Sequence, residues 1–410
     1  MAYTGKIISG DCHVDIPWLP EDTFTSRAPA HLKDKVPHVV DTAEGKQWYA
    51  GDSLLGWVAG SGIGLKPGGW DPYVSGVSKR MDRMEETGFF SDGLEGRLHP
   101  TTPELRLKDQ DIDGVSGEVI YGILGLAGGL SLFDAGEEMS APVGGDAPGP
   151  GYGISDVETI TTVYEAYNNW LSGFCKTSPN RFAGLGVING HDSQLAANQT
   201  GIAADLGLKG AEMNVSTAVK PIYHRAWDPL WEAAGENNMP ISFHTIGLNT
   251  RMPDKSDMED YSWMSSGIYV IQFQLSGAEF LSSIIYSGAC DRFPNFKFVL
   301  GECGIGWIPY ILYRMDDEYE RQYFNLGLSL KPSEFWSRQG YSTFQIEYVT
   351  NELVSRVGED NIMWGSDYPH GDGVWPDSRQ VIQETLGHLD ERVTRKIVCD
   401  NTAKLYGFQV

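Results

Sequence analysis

Histidine and carboxylate side chains recur where short apolar segments of this sequence end, and their types are those of a metal site. Asp11, His13 and Asp15 follow the first apolar segment. Single candidates follow later segments, and these are His191, His244, Glu302 and Asp367. Imidazole nitrogens and carboxylate oxygens are the ligands that divalent transition metals take from proteins. A metal bound there would acidify a water molecule or polarise a substrate oxygen.

The apolar segments predict eight strands that would position these side chains. They span Lys6–Gly10, Gly117–Gly122, Phe182–Ile188, Lys209–Met213, Pro240–Phe243, Phe296–Leu300, Tyr341–Phe344 and Asn361–Trp364. Nearly continuous apolar strands that alternate with helices are typical of a parallel sheet covered on both faces. Eight such units predict an α/β fold, a (β/α)8 TIM barrel. Because the C-terminal strand ends of a barrel meet at one mouth, we expect the candidate ligands to converge there.

Helical patterns separate many of the predicted strands. We expect helices over Ser155–Lys176, Ser193–Leu206, Trp227–Asn237, Ile308–Arg321, Thr350–Val357 and Val393–Tyr406. Ser155 is the predicted N-cap of the first of these helices, since acidic residues follow it in the first turn.

Two stretches interrupt the alternation of strands and helices. Residues 40–110 are rich in Gly, Pro and Trp, and Lys46–Ala50 and Leu54–Val58 predict a hairpin. We interpret this stretch as an insertion after strand one that caps the barrel mouth. Residues 125–153 are rich in Gly, Pro and Ala and predict a long loop after strand two. The chain is therefore expected to be a single decorated barrel over residues 1–410.

Each candidate ligand also has a purely structural explanation. Asp11 with His13 is a common turn arrangement, and His244 would be a satisfied core histidine. Glu302 would pair with an arginine, and Asp367 would cap a turn. Five metal-competent residues at five strand ends are nevertheless not a core pattern, so together they favour a metal site. They are His13, His191, His244, Glu302 and Asp367.

Composition excludes several classes of function. The chain has 410 residues and a formal net charge of −24, which argues against nucleic acid as a partner. A hydrophobic content of 41% excludes a disordered polyelectrolyte. No apolar run reaches the 18 residues of a membrane-spanning helix, and the start has no secretory signal pattern. Five cysteines without a CxxC pair indicate reduced thiols, so we expect a cytoplasmic protein.

Four segments resemble one family. They are Asp11-Cys12-His13, Phe243–Gly247, Leu300–Tyr310 and Gly358–His370, and the last two are long and specific. The chain resembles the amidohydrolase superfamily, in the "amidohydrolase 2" branch typified by aminocarboxymuconate-semialdehyde decarboxylase. The resemblance spans nearly the whole chain and is weakest over residues 40–150. It implies a (β/α)8 barrel with one divalent metal, often Zn or Mn.

The resemblance also implies a ligand set. By position, the ligands are Asp11, His13, His244 and Asp367. The sequence departs from the family on strand one, where the motif commonly reads H-x-H or E-x-H. Asp11 with His13 is favoured by the family's order, and Asp15 is the alternative carboxylate. Strand four holds Glu212 and Asn214 instead of the lysine that bridges two metals in other amidohydrolases, which argues against that binuclear type.

Two further residues leave the number of metals open. His191 either belongs to the turn before the next helix or is an additional ligand, and with Glu302 it would help to hold a second ion. The carboxylate-rich set suits Mn or Fe at least as well as Zn. A few proteins with this fold resemble diiron oxygenases, so a diiron or Mn-Fe oxygenase is kept as an alternative.

Other polar residues near the predicted mouth are candidates for catalysis or substrate binding. His370 would donate a proton to substrate or support Asp367. His224 lies on the loop after strand four, where it would contact substrate. Arg225, Arg251 and Arg314 are candidate clamps for a substrate carboxylate, because guanidinium binds carboxylate through two hydrogen bonds.

The leading hypothesis is a metal-dependent lyase or hydrolase acting on a small carboxylated or cyclic molecule. In a decarboxylase, the metal would orient substrate oxygens while a His or Asp protonates the carbon that loses CO2. In a hydrolase, metal hydroxide would attack a carbonyl and Asp367 would take the proton. His244, Glu302 and His370 complete the catalytic set. A further alternative is a catalytically silent metal-binding subunit paired with an active homologue; otherwise we expect a homo-oligomer.

Overall fold

A computed structural model describes residues 3–61, 72–122, 157–213, 215, 218–245, 264, 267–268 and 270–410. Its centre is a sheet of eight parallel strands surrounded by helices. Numbered in chain order, the strands are β1 Ile8–His13, β2 Pro37–Thr42, β3 Gly45–Ala50, β4 Ser53–Trp57, β5 Gly117–Tyr121, β6 Phe182–Ile188, β7 Gly210–Met213, β8 Ile241–His244, β9 Phe298–Gly301, β10 Gly340–Phe344 and β11 Ile362–Trp364.

The eight-stranded sheet closes on itself almost completely. Its order is β1-β5-β6-β7-β8-β9-β10-β11, which follows the chain. The two edges meet where Cys12 of β1 forms a parallel bridge with Tyr368, just after β11. The His13 amide donates to the Tyr368 carbonyl at 2.6 Å, and the Asp367 amide donates to the Asp11 carbonyl at 2.8 Å. The predicted (β/α)8 barrel is therefore confirmed.

Helices lie between the barrel strands. The α-helices are α1 Lys79–Glu85, α2 Phe89–Leu94, α3 Pro103–Asp113, α4 Val157–Thr177, α5 Ser193–Asp205, α6 Asp228–Glu236, α7 Gly277–Tyr286, α8 Ala289–Arg292, α9 Ile308–Glu318, α10 Pro332–Gln339, α11 Asn351–Val357, α12 Ser378–Leu386, α13 Glu391–Arg395 and α14 Asn401–Tyr406. Short 3-10 helices cover Ile16–Trp18, Ala30–Leu32, His99–Thr101, Arg225–Trp227, Phe273–Ser276 and Phe324–Leu326. Single π turns cover Tyr319–Tyr323 and Lys396–Asp400.

All eight predicted strands are observed, because burial on both faces leaves an apolar run in the sequence. Their bounds differ: β1 extends to His13, so Asp11 and His13 lie within the strand and not after it. Every residue of β1, β5 and β6 is buried. Helix starts also follow local chemistry. The Thr350 hydroxyl accepts from the Leu353 amide at 3.0 Å and so caps α11, which lies within the predicted helix Thr350–Val357. The predicted cap at Ser155 lies outside the described residues.

The predicted insertion follows β1 and precedes β5. The expected hairpin is confirmed as β3 and β4, which pair antiparallel. The sequence did not predict β2, which pairs with β3 on its other edge. Helices α1 to α3 follow this small sheet. Arg80 of α1 donates to the Val374 carbonyl at 3.2 Å, which joins the insertion to the segment after β11. That the insertion caps the barrel mouth stays a prediction.

Other expectations have mixed outcomes. The predicted loop over residues 125–153 lies outside the described residues. All five cysteines are free and buried. None of the described helices combines the length and the apolar character needed to cross a lipid bilayer.

Candidate metal centre

Four side chains meet at the C-terminal ends of β1, β8 and β11. Asp11 Oδ1 lies 3.4 Å from the Nε2 atoms of both His13 and His244. Asp367 Oδ1 lies 3.1 Å from His13 Nε2. At most 4% of any of these four residues is exposed. Of the ligand set that the family resemblance implies, the structure therefore groups Asp11, His13 and His244 and places Asp367 beside His13.

The free polar atoms of these residues fit a divalent metal ion. Asp11 Oδ1, His13 Nε2, His244 Nε2 and both carboxylate oxygens of Asp367 are buried and make no hydrogen bond within the described part of the chain. Leaving such groups unpaired costs about 1–3 kcal/mol each. Ligand atoms about 2.1 Å from one metal lie about 3.0–3.4 Å apart, which matches the observed spacing. Mixed imidazole and carboxylate donors suit Mn, Fe or Zn.

The second oxygen of Asp11 is fixed by two donors. Asp11 Oδ2 accepts a hydrogen bond from the Thr343 hydroxyl at 2.6 Å and from the Glu302 amide at 2.8 Å. These bonds come from β10 and from the residue after β9. They orient the carboxylate so that Oδ1 faces the two imidazoles, as the hydrogen bonds of outer groups do in known metal sites.

Arg106 of α3 supports the strand that carries His13. Its guanidinium is fully buried, pairs with Glu118, and donates to the His13 carbonyl at 2.9 Å. Sequence analysis did not find this residue, because a single arginine in a helix gives no sign that it is buried.

Glu302 borders the group beside His244. Its Oε2 lies 3.7 Å from His244 Nε2 and accepts from the Thr245 hydroxyl at 3.1 Å. Its Oε1 accepts from the Gln345 amide at 3.0 Å. The backbone of Glu302 has a φ of +51°, a value that residues other than glycine rarely adopt. This conformation turns the chain directly after β9 and places its amide against Asp11.

His370 is held between two carboxylates. Its Nε2 lies 2.8 Å from Asp15 Oδ2, and its Nδ1 lies 3.0 Å from Asp367 Oδ1. The ring stacks on His13 with centroids 4.1 Å apart. Asp15, the alternative strand-one ligand, is thus placed on His370, whereas Asp11 lies beside His244. Of the three groups of donors that could hold an ion within the described residues, one includes Asp11 and none includes Asp15.

Burial and charge shift the ionisation of the group in opposite directions. Burial would raise the pKa of Asp11, but His244 and His13 outweigh it and hold this pKa below its usual range. Burial and the charge of His370 would lower the pKa of His13, yet the nearby Asp11 and Asp367 carboxylates raise it to about 9. Burial, together with the charge of Asp367, raises the pKa of Glu302 well above its usual range. Protonated groups therefore balance the buried carboxylates in the absence of a cation.

Four of the other predicted site residues lie outside this group. His191 Nδ1 lies 2.9 Å from Asn189 Oδ1, burial lowers its pKa, and Asp192 beside it caps α5. His224 accepts from the Ala226 amide at 3.0 Å. Arg225 is exposed and pairs with Asp228 at 3.1 Å. Arg314 pairs with Glu318, and Arg251 lies outside the described residues.

Asp372 is a neighbour that sequence analysis missed. One oxygen each of Glu302, Asp367 and Asp372 lie within 4.8 Å of one another. Asp372 follows β11 by eight residues, so the rule that ligands stand at strand ends does not reach it. The only available signal was its place in Gly371-Asp372-Gly373, close behind Asp367.

Comparison with protein families shows the family to which the chain belongs. The family model for amidohydrolases matches residues 137–408. The chain belongs to the amidohydrolase family. The resemblance inferred from the sequence motifs is thereby confirmed. No curated protein matches the chain by sequence.

Solved structures share the fold of this amidohydrolase at low sequence identity. An amidohydrolase from Mycobacterium avium subsp. paratuberculosis has a TM-score of 0.71 and 18% identity, covering 99% of this chain and 100% of its own. A 5-carboxyvanillate decarboxylase from Sphingomonas paucimobilis has a TM-score of 0.61 and 22% identity, covering 98% and 99%. A dihydroxybenzoic acid decarboxylase from Polaromonas, solved with manganese and 2-nitroresorcinol, has a TM-score of 0.56 and 19% identity, covering 80% and 94%.

Proposed function

We propose that this amidohydrolase is a metal-dependent lyase or hydrolase acting on a small carboxylated or cyclic molecule. One observation carries the proposal. Buried, hydrogen-bond-free donor atoms of Asp11, His13, His244 and Asp367 converge at the C-terminal ends of barrel strands. Barrel enzymes place their active sites at this end.

Non-oxidative decarboxylation of a hydroxylated aromatic acid is the form of this activity that we favour. Two structural relatives are named as decarboxylases of such acids, and one of them was solved with manganese. Manganese also suits the carboxylate content of the present site. A bound divalent metal would bind and polarise the oxygens of the substrate.

A side chain of the protein would then supply the proton that the reaction needs. When the bond to the carboxylate breaks, CO2 leaves and the ring carbon takes one proton. His370 is the proposed donor, because Asp15 and Asp367 contact its two ring nitrogens and raise its pKa above the usual range, against the effect of burial. Asp11 and His13 would hold the metal, and Thr343 would keep Asp11 oriented.

Hydrolysis is the second form, in which Asp367 would accept the proton of the attacking water. Its support is the pair of buried Asp367 oxygens without hydrogen bonds, since a general base must have an oxygen available. The two forms differ in product: decarboxylation releases CO2, and hydrolysis consumes water without gas release.

The experiment compares metal-depleted protein before and after addition of Mn, Zn or Fe. Release of CO2 from a panel of hydroxybenzoates and hydrolysis of lactones and amides are followed in parallel. We expect activity only with metal, and a loss of at least about 100-fold in His244→Ala. His31→Ala, which removes an exposed histidine, serves as the matched control.

Other outcomes of this experiment would support a different function or contradict the proposal. Oxygen consumption with two Fe per chain would replace the proposal with the oxygenase alternative. Bound metal without any turnover would support a silent subunit. Activity that persists in metal-depleted protein would contradict the proposal outright.

A further inference from the structure

We propose that Glu302, Asp367 and Asp372 form a second divalent-cation site, which shares Asp367 with the first. The inference rests on the proposed metal centre. It concerns the outer side of that centre, where one oxygen from each of the three carboxylates lies within 4.8 Å of the other two.

Asp367 has the free atom that a bridging ligand needs. The residue is completely buried, and its Oδ1 is the oxygen close to His13 and His370. Its Oδ2 is buried and makes no hydrogen bond to any described group. A carboxylate that offers one oxygen to each of two ions is the usual bridge in sites whose metals lie about 3.5–4 Å apart.

Glu302 is oriented for binding and keeps capacity for an ion. Each of its oxygens accepts one hydrogen bond, from Thr245 or Gln345. An ionised carboxylate has about four lone-pair positions, so each oxygen retains one for a cation. The two donors act as the outer groups that fix a metal ligand in place.

Asp372 lies at the solvent edge, on a turn that the fold holds tightly. It is exposed, which gives a cation a route of entry. The Gly373 amide donates to the His370 carbonyl at 3.1 Å, and the Val374 amide donates to the Ser366 carbonyl at 2.9 Å. A Cβ at Gly373 would come within 2.7 Å of the Ser366 carbonyl oxygen, so only glycine fits there. The turn therefore keeps Asp372 facing the other two carboxylates.

The donor set selects the kind of ion. Three carboxylates offer only oxygen atoms, which Mn²⁺, Mg²⁺ and Ca²⁺ prefer, whereas the first site also offers two imidazoles. Three carboxylates this close repel one another strongly when all are ionised. The imidazole of His370 lies 3.0 Å from Asp367 Oδ1 and offsets part of this repulsion. A second cation would relieve the repulsion that remains.

Manganese binding to metal-depleted protein tests the proposal. Wild type and Asp372→Asn are dialysed against graded Mn²⁺, and bound metal per chain is measured by elemental analysis. We expect two ions in wild type and one in Asp372→Asn, with the second ion weakened at least about tenfold and the first unchanged. Asp34→Asn, which removes an exposed carboxylate from the same acidic chain, should keep both ions.

The electron paramagnetic resonance spectrum gives an independent measure. Two Mn²⁺ ions bridged by Asp367 would show an exchange-coupled spectrum in wild type and an isolated-ion spectrum in Asp372→Asn. One ion in both proteins would overturn the second site but leave the first. Two ions in both proteins, without coupling, would also overturn it, because the second ion would then lie elsewhere. No bound metal in any variant would contradict the metal centre itself.

Discussion

Asp11 combines one restrained oxygen with one free oxygen, and this makes it the most informative single residue. Thr343 and the Glu302 amide hold Oδ2, while Oδ1 faces two imidazole nitrogens without a hydrogen bond. A carboxylate arranged only for stability would have both oxygens satisfied. Asp11 is therefore arranged to bind a ligand.

Asp11→Asn should weaken Mn²⁺ binding by at least about 100-fold, since even outer groups of metal sites change affinity by about 10–100-fold. Wild type at a Mn²⁺ concentration of 100 times Kd gains about 2.7 kcal/mol of stability, and the variant at the same concentration should gain almost none. Calorimetric titration and thermal unfolding with and without Mn²⁺ measure both effects. Equal Mn²⁺ affinity in the two proteins would remove Asp11 from the site.

His191→Ala should bind Mn²⁺ as wild type does. The ring of His191 contacts Asn189 and belongs to none of the described groups of donors that could hold an ion. The same calorimetric titration measures this variant. A loss of one ion per chain would restore the interpretation of His191 as a ligand.

At the residue scale, the sequence could predict ligands that stand at strand ends and could not predict their partners. Asp11, His13 and His244 lie within or directly after apolar runs, so their positions follow from the pattern. The pairing of Asp15 with His370 and the approach of Asp372 depend on how the turn after β11 folds back. No local pattern in the sequence encodes that path.

At the scale of elements, a buried chain of polar groups ties the insertion to the segment after β11. His99 lies 3.0 Å from Asp92 Oδ2 and 2.9 Å from Asp109 Oδ2, and the Tyr368 hydroxyl donates to Asp109 at 2.8 Å. Tyr368 is the neighbour of Asp367, and its carbonyl accepts from the His13 amide. These hydrogen bonds thus support the backbone that carries His13 and Asp367, two of the proposed ligands.

His99→Gln should lower the free energy of unfolding by about 1–3 kcal/mol, because the two donors of a glutamine amide share one nitrogen and cannot reach both carboxylates, so one charged hydrogen bond is lost. His31→Gln is the control, since His31 and its partner Glu158 are exposed and such pairs contribute less than about 1 kcal/mol. Urea unfolding midpoints compare the variants. Equal midpoints for His99→Gln and His31→Gln would show that the buried chain adds nothing to stability.

Asp113 of α3 joins that helix to the start of α12. Its oxygens accept from the Ser378 amide at 2.8 Å and the Ser378 hydroxyl at 2.5 Å. Burial raises the pKa of Asp113 to about 7, although the Ser378 donors offset part of the effect. In the unfolded chain this carboxyl has its ordinary pKa of about 4, so folding favours the protonated form.

Because the folded pKa is the higher one, the contribution of Asp113 to stability falls as pH rises from about 4 to about 7. Asp113→Asn stays neutral, so it should gain on wild type by about 3 kcal/mol between about pH 5 and pH 8. Urea unfolding across this range measures the difference, with the exposed Asp34→Asn as control. A difference that does not change with pH would show that Asp113 is ionised throughout.

The elements differ in how well the sequence predicts them. The barrel strands are buried on both faces, so each leaves a continuous apolar run. Strand β2, Pro37–Thr42, has only its first residue fully buried and so leaves no such run, which is why it was missed. The other two strands of this sheet, β3 and β4, were found because Gly51-Asp52-Ser53 marks the turn between them.

At the scale of the whole molecule, the acidity of the chain has two parts. The net charge of −24 comes from carboxylates of two kinds. Many are solvated, but Asp11, Glu302 and Asp367 are buried together at the barrel mouth. Such a set of buried carboxylates is stable only when protons or cations offset its charge. Because the three residues come from the ends of three different strands, their convergence favours a metal. Homo-oligomerisation and a cytoplasmic location stay predictions.

Anomalous diffraction from crystals soaked with Mn²⁺, recorded at the manganese absorption edge, tests the metal centre most directly. We expect the strongest peak among Asp11 Oδ1, His13 Nε2, His244 Nε2 and Asp367 Oδ1, about 2.1–2.2 Å from each. A crystal with strong peaks elsewhere and none among these four atoms would contradict the assignment of the metal centre.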